Sequence, residues 1–297
     1  MNSECAPLLI GVDGGGSGCR VRLCNTALVT LAESKGGPAN VTTDRPIAIA
    51  NITKAMSEAA AFAGVSQETL TTAQIHLGLA GVMSPGIAIE VAQALPYPNI
   101  TVTDDRPTTL AGALGGQDGF LAAVGTGSFI AVQCNGHHAF VGGWGVQLSD
   151  QASAAWLGRR LLEQVLLCHD GMIPHSDLTL TALTRFNQNP NDIVTFGTSS
   201  KPSDFGALAP LVVNAMRAGD PIGLSLMTEG LAYLTSGLET LGFQPGDRLC
   251  LTGGVGPQYA TLFPKEVQSG IVPAAGNALD GAIRLAAAQM KGRTNIL

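Results

Sequence analysis

The chain has 297 residues, of which 45% are hydrophobic and 13% charged, and its formal net charge is −6. This length suits two lobes of ordinary domain size, and the composition is that of a globular protein rich in alanine and glycine. Because the chain is acidic and has no cluster of Lys or Arg, its charge gives no support for a nucleic-acid ligand or an anionic membrane surface.

The first residues and the cysteines indicate a cytoplasmic protein. Residues 1–7, MNSECAP, contain no apolar core of a signal peptide, and no apolar stretch reaches the ~18 residues that a membrane span needs. The cysteines show no CxxC spacing, so we expect reduced thiols rather than disulfides or a metal site. They are Cys5, Cys19, Cys24, Cys134, Cys168 and Cys250.

A glycine-rich segment between two predicted strands opens the chain. Residues 8–12 form an apolar run typical of a buried strand, and residues 20–23 alternate between Arg and apolar side chains. The three glycines that follow Asp13 suit a backbone with positive φ, or one that a ligand approaches closely. Backbone N–H groups and the Ser17 hydroxyl could cradle a phosphate, although a hairpin without a ligand fits the same residues. We call residues 13–18 the first glycine loop.

The rest of the first half alternates helix and strand, which predicts an α/β lobe with a mixed sheet. The predicted elements are a third strand over 27–32, a helix from a cap at Asp44 to about 64, a strand over 75–80, a helix over 85–95 and a strand over 100–103.

The opening pattern then recurs. Residues 120–124 form an apolar strand, residues 125–128 a turn of glycine and hydroxyl residues, and residues 129–133 and 139–141 two more strands joined through Asn135-Gly136. We call residues 125–128 the second glycine loop. Two such loops at equivalent places indicate a duplicated fold with two phosphate loops.

The remaining segments predict a mostly helical second lobe. They are a helix over 152–168, an insertion over 170–203 with one short helix, helices over 207–218 and 221–241, a strand over 248–252 and a last helix over 278–290. The expected lobes are residues 1–115 and 116–297, with the helix over 278–291 packed back on the first.

Nine motifs in one order resemble the BadF/BadG/BcrA/BcrD ATPase family, in the superfamily of sugar kinases, Hsp70 and actin. They are GVDGGGSGCRVRL, GPAN, GLAG, TDDRPTTLAGA, AVGTGSF, GGWG, SDQASAAWLGRRLL, LTGGVGP and GNALDGA. The resemblance covers nearly the whole chain. It implies an α/β fold of two duplicated ribonuclease H-like (actin-like ATPase) lobes, each with a mixed five-stranded sheet flanked by helices, around a central cleft.

The branch that the motifs resemble most implies the activity. N-acetylglucosamine kinases and bacterial glucosamine kinases use ATP and Mg²⁺ to phosphorylate the 6-hydroxyl of an amino sugar. The expected partners are therefore ATP and an amino sugar, bound mainly by the second and first lobes respectively, and a homodimer is expected.

The resemblance also implies a role for individual residues. The expected phosphate and adenosine contacts are Gly14, Gly15, Gly16, Ser17, Gly125, Thr126, Gly127, Ser128, Gly253, Gly254 and Gly256. The expected sugar contacts are Asn40, Ala80, Gly81, Trp144, Gly145 and Asp150. Asp13 is expected to bind Mg²⁺ through water, and Asp105 matches the catalytic aspartate.

Phosphoryl transfer to a sugar requires a base whether or not the family resemblance holds. For several of the residues, however, a structural role is also possible. A sugar hydroxyl is a poor nucleophile, so a carboxylate such as Asp105 should accept its proton. Asp105 could instead cap a helix over 108–114, as could Asp104, and Asp150 could be a cap rather than a sugar hydroxyl acceptor.

Other prominent side chains also have ordinary explanations. Trp144 suits a sugar ring but also a core. His137-His138 is expected to be a solvated pair rather than a metal site, and Arg159-Arg160 a solvated helix face.

Two departures from the family pattern bear on the substrate. Asp150-Gln151-Ala152-Ser153 stands where the family commonly has Asp-Glu-Gly-Ser, and Ala80 stands where the N-acetyl kinase has a serine. The second change removes a hydroxyl, which favours an unacetylated amino sugar without excluding the acetylated one.

Two other functions remain open on sequence alone. One is an ATPase that activates a partner's redox step, although the iron–sulfur cysteine context of such activators is missing from the sequence. The other is a sensor that binds sugar or nucleotide without turnover.

Overall fold

Each half of the chain folds around a five-stranded sheet in this computed structural model, which describes residues 7–292. The strands are β1 (Leu8–Gly14), β2 (Cys19–Asn25), β3 (Thr30–Gly36), β4 (Gln74–Leu79), β5 (Ile100–Thr103), β6 (Gly119–Val124), β7 (Ser128–Cys134), β8 (His137–Gly142), β9 (Leu249–Thr252) and β10 (Ile271–Val272).

The helices follow the strands in the first half and dominate the second. They are α1 (Arg45–Phe62), α2 (Gln67–Leu70), α3 (Pro85–Gln93), α4 (Asp105–Leu114), α5 (Ala154–His169), α6 (Asp177–Arg185), α7 (Pro190–Ser199), α8 (Pro202–Gly206), α9 (Ala209–Arg217), α10 (Pro221–Thr240), α11 (Gly256–Tyr259), α12 (Lys265–Gln268) and α13 (Ala278–Met290), with a 3₁₀ turn at Ala260–Leu262.

The two sheets have the same strand order. The first is β3-β2-β1-β4-β5 and the second, read from its other edge, is β8-β7-β6-β9-β10. In each sheet the central strand pairs in parallel with the strand that returns after a helical crossover, β4 on β1 and β9 on β6. The duplicated α/β fold with two mixed five-stranded sheets is therefore confirmed.

The chain divides into two compact units. Within the described residues, the first unit comprises 7–118, 133–138 and 274–292, and the second comprises 119–132 and 139–273. Each has its own apolar core: the first lies between its sheet and α1, and the second between its sheet and α5, α9 and α10.

Helix α13 completes the first unit. Ile283 and Ala286 pack on Leu9 and Cys24 of the sheet, and Arg22 of β2 pairs with Asp280. Such packing of a late helix on the earliest strand is a long-range contact that local sequence pattern does not encode.

Several predicted boundaries were wrong for local reasons. The third strand begins at Thr30 rather than at residue 27, because the Asn25 Oδ1 accepts the N–H groups of Ala27 and Val29, both at 3.0 Å, and holds them in a turn. Within the insertion, the sequence predicts one helix, whereas the structure has α6, α7 and the start of α8. The second, α7, is capped by the Asn189 side chain and anchored by buried Ile193.

The described cysteines are Cys19, Cys24, Cys134, Cys168 and Cys250, and all have free thiols. Cys5 lies outside the described residues. Between residues 7 and 292, none of the helices combines the length and apolar character needed to cross a bilayer.

Helices α4 and α13 meet through two glycines. A Cβ at Gly281 would lie 1.8 Å from the Thr108 carbonyl oxygen, and one at Gly112 would lie 1.9 Å from the Asn277 carbonyl oxygen. Because both obstacles are backbone atoms, no side-chain rotation makes room for a larger residue.

We therefore expect Gly281→Ala to lower the free energy of unfolding by about 1–3 kcal/mol, the usual cost of overpacking. Thermal unfolding followed by circular dichroism should show a Tm several degrees lower. The control is Gly197→Ala in α7, where a Cβ meets nothing within 4 Å, and which should be neutral or stabilising by up to about 1 kcal/mol. Equal Tm values for the two variants would contradict the close approach of α4 and α13.

Candidate functional site

The first glycine loop is held by hydrogen bonds to its neighbours. The Gly14 carbonyl accepts the Ala80 N–H at 2.8 Å, and the Gly15 carbonyl accepts the Ala39 N–H at 2.9 Å. None of the loop's glycines has a positive φ, so the left-handed backbone predicted as one reason for these glycines does not occur here. A Cβ at Gly14 would lie 2.6 Å from Leu79, whereas a Cβ at Gly16 would meet nothing within 4 Å. One glycine therefore allows close packing, and the other leaves open space beside the backbone.

Asp13, at the start of this loop, is paired with Arg20, a cation that was not predicted as part of the site. The Arg20 guanidinium donates to Asp13 Oδ2 from Nη2 at 2.5 Å and from Nε at 3.2 Å. The two residues face each other across the β1–β2 hairpin, so the hairpin register was the signal that could have found the pair. Carboxylate oxygen is the ligand type that Mg²⁺ prefers, and Oδ1 of Asp13 is not engaged by Arg20. The residue thus fits the expected role beside a metal-bound phosphate.

Asn40, Ala80 and Gly81 lie together next to the first glycine loop. The Asn40 Oδ1 accepts the backbone N–H groups of Thr42 and Thr43 at 2.9 and 3.2 Å. Thr42 in turn donates its hydroxyl to the Gly81 carbonyl at 2.7 Å. Gly81 has φ +88°, and a Cβ there would lie 2.5 Å from the Asn40 Oδ1. Only glycine fits at this position, and the Asn40 amide nitrogen is left as the donor for a ligand.

Helix α4 begins at Asp105, three residues earlier than predicted, and Asp104 is its cap. The Asp104 Oδ1 accepts the Arg106 backbone N–H at 2.9 Å, and both carboxylate oxygens accept from the Arg106 guanidinium at 2.9 and 3.0 Å. Capping is therefore not the role of Asp105, and its carboxylate is available for chemistry.

The Asp105 side chain is exposed to solvent at the carboxyl end of the first sheet. Protein atoms nevertheless crowd this end of the sheet, and the resulting desolvation raises the pKa of the Asp105 carboxyl. The negative charges of Asp104 and Asp13 raise this pKa further, while the positive charge of Arg106 lowers it. A carboxylate with a raised pKa is a stronger base than a free aspartate, which suits proton abstraction.

The second glycine loop is also bonded to a neighbouring segment. The Gly125 carbonyl accepts the Ala154 N–H at 2.9 Å, and the Thr126 carbonyl accepts the Ala155 N–H at 3.2 Å. The loop is thereby fixed to the first turn of α5. A Cβ at Gly125 would meet nothing within 4 Å, so this loop also leaves open space beside its backbone.

The hydroxyl groups of the second glycine loop have different surroundings. Thr126 is exposed. Ser128 is only 3% exposed, and its Oγ donates to the Gln151 carbonyl at 2.6 Å. The Ser128 hydroxyl is thus engaged within the protein, whereas Thr126 faces solvent.

Residues 149–153, which we call the strained loop, contain two left-handed residues that are not glycine. Asp150 has φ +59° and Ala152 has φ +70°, a conformation that costs roughly 1–2 kcal/mol per residue. The family glycine that Ala152 replaces would avoid this cost. The loop is held in part by the buried Tyr259 hydroxyl, which donates to the Ala152 carbonyl at 3.0 Å.

Asp150 is buried but does not cap α5, because the Ser153 Oγ accepts the Trp156 N–H at 3.1 Å. Burial raises the pKa of the Asp150 carboxyl, and the Gly145 N–H, which donates to Oδ1 at 3.1 Å, partly opposes this effect. A Cβ at Gly127 would lie 2.5 Å from Asp150 Oδ2. The strained loop therefore lies directly against the second glycine loop.

Trp144 is 68% exposed and is not part of the core. The segment around it is attached to α5, since Arg159 donates to the Val146 carbonyl at 3.1 Å. Arg160 pairs with Glu163 and Glu229 and lies over the Trp156 ring. Both arginines are partly exposed, and both also have specific partners.

The histidine pair shows no metal site. His137 is exposed, and the His138 Nε2 lies 3.2 Å from the Gln133 Oε1. Over residues 7–292 no group of three or more His, Cys, Asp or Glu side chains is arranged to hold a metal ion.

The third glycine segment adjoins the second glycine loop. Gly253 has φ +81°, and a Cβ there would lie 2.3 Å from the Val124 carbonyl oxygen, which also accepts the Val255 N–H at 3.0 Å. A Cβ at Gly254 would meet nothing within 4 Å, and Gly256 begins α11. This segment is thus positioned at the end of β6, where the second glycine loop starts.

The predicted site residues fall into two groups, one in each unit. The first group consists of Asp13, Gly14, Gly15, Gly16, Ser17, Asn40, Ala80, Gly81 and Asp105. The second consists of Gly125, Thr126, Gly127, Ser128, Trp144, Gly145, Asp150, Gly253, Gly254 and Gly256.

Comparison with known proteins identifies the family. The model of the BadF/BadG/BcrA/BcrD ATPase family matches residues 10–279. The chain is 31% identical over 278 residues to the glucosamine kinase GspK of Vibrio cholerae, which covers 93% of this chain and 95% of the relative.

Solved structures agree with this assignment. A Chromobacterium violaceum protein assigned as an N-acetylglucosamine kinase superposes with a TM-score of 0.84 and 32% identity, covering 94% of this chain and 99% of the other. A glucokinase of the ROK family from Streptomyces griseus, with glucose and AMPPNP, shares the fold with a TM-score of 0.56 and 17% identity over 94% of this chain and 99% of the other. The chain therefore belongs to the BadF/BadG/BcrA/BcrD ATPase family.

Proposed function

We propose that this protein is an ATP-dependent amino-sugar kinase that phosphorylates the 6-hydroxyl of glucosamine or N-acetylglucosamine. The names of its relatives, a glucosamine kinase and an N-acetylglucosamine kinase, support sugar kinase activity in general. The choice of the 6-hydroxyl follows from the resemblance to amino-sugar kinases, and the catalytic residue is our inference from the site.

The proposal rests on the exposure and the surroundings of the Asp105 carboxylate. Its carboxylate is exposed, its pKa is raised by desolvation and by the charge of Asp104, and the capping role is taken by Asp104 itself. An accessible aspartate without a structural duty, at the carboxyl end of a strand, is what a general base requires.

In the proposed reaction, the sugar hydroxyl oxygen bonds to the γ-phosphorus of ATP while Asp105 accepts the proton of that hydroxyl. The bond between that phosphorus and the bridging oxygen of the β-phosphate breaks, and ADP leaves. Phosphoryl transfer depends mostly on positioning and charge neutralisation. The open backbone at Gly16 would provide an N–H donor to a phosphate oxygen. In the second glycine loop the donors would be backbone N–H groups after Gly125, because the Gly125 N–H itself donates to the Gly127 carbonyl at 2.9 Å.

Mg²⁺, when bound, would neutralise negative charge on the phosphoryl oxygens. Asp13 would hold it through water, and the Arg20 pair would fix the direction of the Asp13 carboxylate. The first unit would in this way supply both the metal-binding carboxylate and the base.

The side chains that the family resemblance assigns to the sugar each have a suitable group to offer. We assign the Asn40 amide nitrogen and the Asp150 carboxylate to sugar hydroxyls, and the exposed Trp144 ring to the face of the sugar. Ala80 offers no hydroxyl to an acetyl group, which favours glucosamine over N-acetylglucosamine without excluding the latter.

An activity assay with the Asp105→Asn variant tests the base. We expect kcat to fall about 10²–10⁴-fold, the usual contribution of a general base, with little change in the KM for ATP. The assay measures sugar-stimulated ADP release with Mg²⁺ and a panel of hexoses and amino sugars. Asp44→Asn is the matched control, because asparagine caps α1 as well as aspartate does and Asp44 has no proposed role in catalysis. Full activity of Asp105→Asn, or wild-type protein that releases no ADP in response to any amino sugar, would refute the proposal.

The pH dependence tests the neighbours of Asp105. As a base it must be ionised, so kcat/KM should fall as pH drops through its raised pKa. In Asp104→Asn, the negative charge that raises this pKa is removed and Arg106 is left to lower it. The acidic limb of the plot of kcat/KM against pH should therefore move to lower pH. Asparagine preserves the helix cap, and Asp170→Asn, at an exposed position in the second unit, should leave the limb unchanged. A limb that stays in place or moves upward in Asp104→Asn would show that Asp105 is not the titrating base.

A further inference from the structure

The two glycine loops have serines at matching positions, and these serines differ in exposure and in hydrogen bonding. Ser17 is exposed in the first loop. Ser128, in the second, is buried and donates its only hydroxyl proton to the Gln151 carbonyl at 2.6 Å. A serine whose proton is committed offers only lone pairs, and phosphate oxygens are themselves acceptors. Ser128 therefore cannot donate to a phosphate while it holds Gln151.

The bond from Ser128 reaches the middle of the strained loop. Gln151 lies between Asp150 and Ala152, which both have left-handed backbone. A segment in this conformation persists only when its surroundings hold it there. The Ser128 hydroxyl and the Tyr259 hydroxyl bind carbonyls of adjacent residues in this loop, so each opposes relaxation of the strain.

The orientation of Asp150 depends on this support. Its Oδ1 accepts the Gly145 N–H, and its Oδ2 lies so close to Gly127 that a Cβ there would come within 2.5 Å. The Gln151 carbonyl belongs to the peptide that joins Gln151 to Ala152, and rotation of this peptide would let the backbone next to Asp150 move and change both relations. From the side of the second glycine loop, the bond that fixes this peptide comes from Ser128.

We propose that Ser128 is a positioning residue for sugar binding and not a phosphate ligand: its hydroxyl holds the strained loop so that Asp150 faces the substrate. This inference rests on the proposed function, since it takes Asp150 as a sugar contact. It also makes the second glycine loop a part of the sugar specificity of the enzyme.

The test compares Ser128→Ala with Ser17→Ala. Loss of one hydrogen bond should raise the KM for the amino sugar roughly three- to tenfold in Ser128→Ala, with the KM for ATP changed less than about twofold. Ser17→Ala should show the opposite pattern, because its exposed hydroxyl is free to reach a phosphate. A raised KM for ATP with an unchanged KM for sugar in Ser128→Ala would overturn the inference.

Amide hydrogen exchange separates this inference from the proposed function, because it needs no activity. Ser128→Ala should speed exchange over residues 149–155, whereas Ser17→Ala should not. Unchanged exchange in Ser128→Ala would overturn the tether even in an active kinase, and faster exchange in a protein that phosphorylates no sugar would refute only the proposed function.

A second substitution shows whether the effects of Ser128→Ala come from the lost hydrogen bond or from a general loss of folding. Ser128→Cys keeps a side chain of similar size and a weaker donor, so its sugar KM and its exchange rate should lie between those of the wild type and Ser128→Ala. Values for the cysteine variant outside that interval would contradict a hydrogen-bonding role.

Discussion

Backbone hydrogen bonds between each glycine loop and a neighbouring segment are the constraint on which the candidate site depends. In the first unit, the loop carbonyls accept N–H groups from the segments that contain Asn40 and Ala80. In the second, they accept N–H groups from the first turn of α5. A glycine loop alone would be flexible, because glycine has the greatest conformational freedom of any residue. These bonds remove that freedom at the carbonyls and leave the outer face of each loop open.

The duplication of the fold explains why this arrangement occurs twice, and also where the copies differ. The same strand order brings a glycine loop to the end of the central strand in both sheets. The partners then diverge: the first loop meets a segment that needs glycine at residue 81, with φ +88°, whereas the second meets a strained loop that tolerates alanine at residue 152. Similar topology has thus been combined with different chemistry in the two units.

Much of the fold could be predicted from local pattern, since the apolar runs at 8–12 and 120–124 and the cap at Asp44 lie where the sequence places them. The candidate site was harder to predict from the sequence. Asp104 and Asp105 are equally good caps on paper, and the choice depends on the bidentate contact with Arg106. The left-handed conformation of Ala152 could not be predicted, because alanine gives no signal for it; the glycine common in the family would have.

Helix α13 has a consequence for how the protein is made. Residues 278–290 cover the first strand of the chain, with Ile283 and Ala286 against Leu9 and Cys24. During synthesis, every residue of the second unit leaves the ribosome before this helix does. Domains usually fold in the order in which they are translated, yet here the unit that begins first is finished last. Until then, Leu9 and Cys24 of the nascent chain lack the apolar side chains of α13 that cover them in the folded protein.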